Sequence, residues 1–140
     1  MSETLGAKQR RFSLLVAQWI VAVHKSGYAV TFGEAYRSDE QAEINAMGAG
    51  GRRMLVQILM AHFPELARRI ANNTGSGIRN SLHESRLALD VNLFYGGTWI
   101  SDGSSPHWER VGKLWESMGG TWGGRFNDAN HLSLEHEGRK

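Results

Sequence analysis

The chain has 140 residues, 41% apolar and 21% charged, and its five Trp, five Phe and three Tyr supply enough bulk for one buried core. That composition excludes a disordered chain, and a formal charge of +2 with no dense Lys/Arg run leaves no case for nucleic acid as partner. The absence of cysteine excludes disulfides and thiolate zinc sites, so any metal must rest on His, Asp or Glu.

The first element is "KQRRFSLLVAQWIVAVHKSG", whose basic start and apolar middle superficially look like a secretory signal. The apolar stretch from Phe12 to Val23 is only about half of the ~20 residues that span a bilayer. Ser13 and Gln18 interrupt it, and no A-x-A cleavage pattern follows. Phe12, Leu15, Val16, Trp19, Ile20 and Val23 recur at three- and four-residue intervals, the buried stripe of a helix. The expectation is a core helix, with no export signal of the chain's own and no stable membrane insertion.

Gly27 ends that helix, and the alternation in "YAVTFGEA" predicts a strand over 28–35. "SDEQAEINAMG" reads as a short helix with Ser38 as N-cap and Gln41 at the capping-box position. The stretch 52–72 predicts a further helix that Pro64 kinks or splits in two, and 73–80 is loop by composition. Residues 86–94 predict a central strand with Leu87, Leu89, Val91 and Leu93 toward the core and Ala88, Asp90 and Asn92 on the other face. "SSPHWERVGKLWESMGG" predicts a helix capped by Ser105, with Pro106 at its first position and Gly119 past its end. "HLSLE" alternates once more, with Leu132 and Leu134 inward and His131 and Ser133 opposite. With no repeat or linker, residues 1–140 read as a single α+β domain in which helices pack on a small, mostly antiparallel sheet.

Asp90 and His131 are polar residues on the non-core faces of two strands, and they converge if those strands are neighbours. His83 lies just before the Asp90 strand, where a loop can fold it back over the same face. A His/Asp/His set suits Zn²⁺ and leaves a fourth position open for water. Asp128, three residues before His131, is placed by a turn beside such a metal without ligating it, where a base for metal-bound water belongs. By spacing alone, satisfied core or surface histidines are the commoner reading, since six histidines make chance pairs frequent. Glu135 competes with Asp128 as base but lies farther along the strand; Glu84 beside His83 reads as a solvated carboxylate. Trp122 and Phe126 either wall a cleft or pack in the core.

"SLHESRLALD" followed by "DANHLSLE" resembles the paired motifs of the zinc D-Ala-D-Ala carboxypeptidase family, S-x-H-x(6)-D and then a carboxylate-x-x-H. That family includes the vancomycin-resistance dipeptidases and small phage endolysins that cut the L-alanyl-D-glutamate bond. "GYAVTFGEAYRSDEQ", "GIRNSLH" and "TWGGRFNDANH" resemble flanking family segments, and only about residues 47–75 show no specific likeness. The resemblance implies that His83, Asp90 and His131 bind one Zn²⁺ and that Asp128 is general base and then proton donor to the leaving amine. It further implies that Arg37 and Ser81 contact substrate or intermediate, Arg37 offering a planar fork to a carboxylate or developing oxyanion. Two departures stand out: many members have glycine where this chain has Arg86, and an aromatic where it has Leu132.

The expected activity is hydrolysis of a peptidoglycan stem-peptide bond, L-alanyl-D-glutamate in preference to D-Ala-D-Ala. The expected setting is that of a monomeric phage endolysin, accumulating in the host cytoplasm and reaching the wall after a holin-like protein breaches the membrane. The rival from another class is a zinc-binding module without catalysis, serving assembly or protein interaction.

Overall fold

The structure, a computed structural model, describes residues 3–72 and 81–140. The composition-based loop at 73–80 lies outside the described residues. Helix α1 spans Leu5–Lys25, capped by the Thr4 side chain, and buries Phe12, Trp19 and Val23 along the expected stripe. Trp19 donates its indole N–H to the Val111 carbonyl at 2.9 Å, and Trp115 meets the rings of Phe12 and Trp19 edge-on. Those contacts fix α1 against helix α5, Pro106–Ser117, which begins as predicted with the Ser105 cap and Pro106 at its first position.

Strand β2, Ala88–Tyr95, is the axis of an antiparallel sheet. Along one edge runs β1, Tyr28–Phe32, with Tyr28 opposite Tyr95 and Phe32 opposite Val91. Strand β5, His131–Ser133, pairs with residues 88–90 of β2 and carries β4, Thr121–Trp122, on its far side. The two-residue strand β3, Thr98–Trp99, folds back on the end of β2 through Gly96 and Gly97, both at positive φ as a tight hairpin requires. The order of burial along β2 follows its alternation: Leu89, Val91 and Leu93 are buried, while Asp90 and Asn92 are half-exposed.

Three expectations need correction. The first strand stops at Phe32 rather than residue 35, because Gly33 and Glu34 both bond to Asp90, two residues against one, and the regular register is lost there. The helix expected from 52 starts at Gly48, as α3, Gly48–Leu59. Pro64, by contrast, splits the stretch in two, one of the two outcomes expected of it, and begins α4, Pro64–Ala71, since its missing N–H costs nothing at a first turn. Ser133 is fully buried instead of facing outward, with its carbonyl accepting the Trp115 indole N–H at 3.1 Å. The remaining helix, α2, Asp39–Ala46, has the Ser38 cap read from sequence.

Candidate active site

β2 and β5 place two of the predicted ligands directly opposite each other: Asp90 and His131 are register partners. The Asp90 backbone is held from the other edge as well, its N–H donating to Glu34 at 2.8 Å and its carbonyl accepting from Gly33 at 2.7 Å. Its carboxylate oxygen Oδ1 lies 3.1 Å from Nδ1 of His131 and 3.3 Å from Nε2 of His83. One ligand atom from each of the three residues lies within 4.8 Å of the other two. Burial alone would raise the Asp90 carboxyl, but the hydrogen bonds and charges of His131 and His83 overcome it and hold it at about 2. The carboxylate is thus ionised at any ordinary pH. Two imidazole nitrogens and one ionised carboxylate aimed at a common point form a donor set that fits Zn²⁺.

His83 comes from a turn rather than a strand. Leu82 buries its side chain beneath the turn, and the Leu87 N–H closes it on the Leu82 carbonyl at 2.9 Å. The Ser81 hydroxyl accepts the His83 N–H at 3.2 Å, so Ser81 aims the ligand. Arg86 sits in this turn at φ 54, the left-handed region that disfavours a side chain. That conformation explains why glycine suits the position. Here Arg86 compensates in part by stacking its guanidinium 4.8 Å over the Tyr36 ring. Arg86→Gly should therefore be more stable than Arg86→Ala by about 1 kcal/mol, since alanine keeps the strain and loses the stacking. Chemical denaturation of the two variants checks this; alanine equal to or above glycine would remove the strain argument.

Asp128 lies in the turn that leads into β5. Its N–H donates to Gly123 at 2.9 Å, its carbonyl accepts from His131 at 3.0 Å, and its Oδ2 is 3.9 Å from Nδ1 of His131. A side chain on Gly123 would come within 2.2 Å of the Asp128 carbonyl oxygen, so only glycine lets the turn close. Trp122 packs its indole against Gly112 and Gly124 and donates to the Ala129 carbonyl at 2.8 Å, pinning the same turn from below. It is therefore a core residue, whereas Phe126 is exposed and stands edge-on to the His131 ring at 6.1 Å. The Asp128 carboxyl is half-exposed. Burial raises it above the usual carboxylate range and the Asp90 charge adds to this, against the pull of His131 and His83.

Arg37 is buried rather than solvated, and its N–H donates to the His83 carbonyl at 3.4 Å. Its fork is already taken: Nε donates to Oε1 of Glu34 at 3.0 Å and the adjacent nitrogen to the other oxygen. Glu34 was missed by sequence reasoning, although an acid three residues before an arginine was a visible signal. Glu84 accepts the Ser81 N–H and so braces the ligand turn. Beside Asp128 a cavity of about 330 Å³ opens along the β2 face, lined by Asn92, Trp99, Ser101, Asn127 and Asn130 among others. None of the described residues lining it is charged except Asp128.

Residues 74–134 match the family model described as D-alanyl-D-alanine carboxypeptidase. This segment is similar to that family. The family segment contains His83, Asp90, Asp128 and His131, and the resemblance read from the two motifs is borne out. Among solved structures, a mutant of the vancomycin-resistance D,D-pentapeptidase VanY from a VanB-type cassette, in complex with Zn(II), matches with a TM-score of 0.50. The two are 14% identical, over 89% of this chain and 70% of that one, a likeness of fold that agrees with the expected α+β architecture. No curated protein matches the chain.

Proposed function

We propose that the protein is a zinc metallopeptidase that hydrolyses a stem-peptide bond of peptidoglycan, the L-alanyl-D-glutamate bond, as a phage endolysin. One observation carries the chemistry: within a carboxypeptidase-family segment, His83, Asp90 and His131 converge with the Asp128 carboxyl beside them. When bound, zinc supplies the Lewis acidity that polarises a peptide carbonyl and acidifies water. His83, Asp90 and His131 hold it. Asp128 takes the proton of the attacking water and delivers it to the leaving amine, a role its raised pKa and half-exposed position suit. Arg37, with its fork held by Glu34, positions the His83 turn through its backbone N–H to the His83 carbonyl. Ser81 and Glu84 position His83.

The choice of an endopeptidase rests on charge. A carboxypeptidase needs a cation to receive the terminal carboxylate, and here the Arg37 fork is engaged by Glu34 while the cavity beside Asp128 has no cation among its described lining residues. Both features favour a chain that continues past the cleaved bond. The endolysin setting, with synthesis in the host cytoplasm and passage through a membrane breached by a holin-like protein, accompanies that choice.

Mass spectrometry of muropeptides after digestion is the test. The expected products are glycan strands whose stem stubs end in L-alanine and peptides with a new D-glutamate amino terminus, abolished by EDTA and restored by Zn²⁺. Release of free D-alanine instead would assign the carboxypeptidase activity and overturn the choice of bond.

A further inference from the structure

Helices α3 and α4 form a hairpin that contributes nothing to the candidate active site and precedes the family segment. Helix α3 has no buried residue at all, and α4 turns only Ala67 and Ile70 inward. Outward the hairpin carries Met54, Ile58, Met60, Phe63 and Leu66, between 45% and 67% exposed. Soluble surfaces scatter such residues singly, whereas five within thirteen positions of one hairpin give it an apolar ridge that water alone does not favour.

The charge of the hairpin says what covers the ridge. Residues 48–71 contain Arg52, Arg53, Arg68 and Arg69 and one acid, Glu65, a net charge of +3. The whole chain is +2, so everything else sums to −1. All the net positive charge therefore sits on the element that also exposes the apolar ridge. A purely polyanionic partner would need no Ile58 or Phe63, and an apolar protein groove would need no such concentration of arginine. The pairing of both is the signature of a helix lying in a headgroup layer, apolar side chains in the acyl boundary and guanidiniums among phosphates. Among the described residues no helix is long and apolar enough to cross a membrane, which leaves the surface.

We propose that the α3–α4 hairpin docks on an anionic phospholipid bilayer, with Met54, Ile58, Met60, Phe63 and Leu66 seated at the acyl boundary and Arg53 and Arg69 on the lipid phosphates. The docking is independent of the peptidase reading. It is tested by co-sedimenting the zinc-loaded full chain with vesicles of phosphatidylglycerol and phosphatidylethanolamine, and with vesicles of phosphatidylcholine alone. The chain should bind the anionic vesicles, bind the neutral ones at least about tenfold more weakly, and lose binding as salt rises to about 0.5 M. The double variants Ile58→Gln with Phe63→Gln, and Arg53→Glu with Arg69→Glu, should each weaken binding at least about tenfold while cleavage of soluble muropeptides is unchanged. No binding of the unaltered chain to anionic vesicles overturns the proposal without reference to any variant. Binding insensitive to the Ile58/Phe63 change also overturns it, in favour of simple polyanion attraction. So does a concentration-dependent dimer, abolished by that change, in a chain that ignores vesicles.

Discussion

Replacing Asp128 with alanine is expected to reduce the appearance of new amino termini from purified peptidoglycan by about 100- to 10,000-fold, the usual worth of a positioned acid–base group. The variant should still hold one zinc, because Asp128 stands 3.9 Å from His131 and outside the three-donor set. Its fold should change little, since the turn is held by backbone bonds to Gly123 and His131 and by the Trp122 indole. Metal content and hydrolysis measured on the same preparation separate the outcomes. Full activity in Asp128→Ala with zinc bound would mean that another group moves the proton. A wild-type chain that holds zinc and cleaves nothing would leave the non-catalytic zinc module as the better reading.

The second large effect concerns the metal itself. Zinc in about thousandfold excess over its dissociation constant should stabilise the wild-type chain by about 4 kcal/mol. For a chain of this size the melting temperature should rise on the order of 10 °C. Asp90→Ala should lose that rise together with all hydrolysis. The reason is local: Oδ1 of Asp90 is the atom that both imidazoles approach, at 3.1 and 3.3 Å. Without it two nitrogens remain, and the ionised donor that balances a divalent charge is gone. A zinc-induced rise of wild-type size in Asp90→Ala, read by scanning calorimetry, would move the metal to other residues.

Much of this was legible because strands write a period of two into sequence. The leucines at 87, 89 and 93 and at 132 and 134 declare which face is core, and the polar residues between them then fall on the other face together. That logic placed Asp90 and His131 side by side. It did not foresee the full burial of Ser133, whose backbone carbonyl accepts the Trp115 indole N–H, a contact between residues eighteen apart that no local pattern encodes. Pro64 marked a helix boundary reliably because its ring forbids an interior position. The start of α3 was hidden by Gly48, Gly50 and Gly51, which oppose helix on propensity and are helical all the same. Arg37 was legible only as a family position; its burial and its partner Glu34 depend on how the chain leaves β1, which alternation does not describe.

The pairing of β2 with β5 joins Asp90 to His131 across 41 residues of chain. In a protein without cysteine, an ion shared by those two side chains would be the nearest equivalent of a disulfide. Closing a loop of that length with a covalent bridge restrains the unfolded chain by about 4 kcal/mol. A bound ion would act in the same sense, with a difference in control. The bridge enclosing β3, α5 and β4 could be opened by a chelator instead of a reductant, and would be indifferent to the redox state of the compartment the chain passes through.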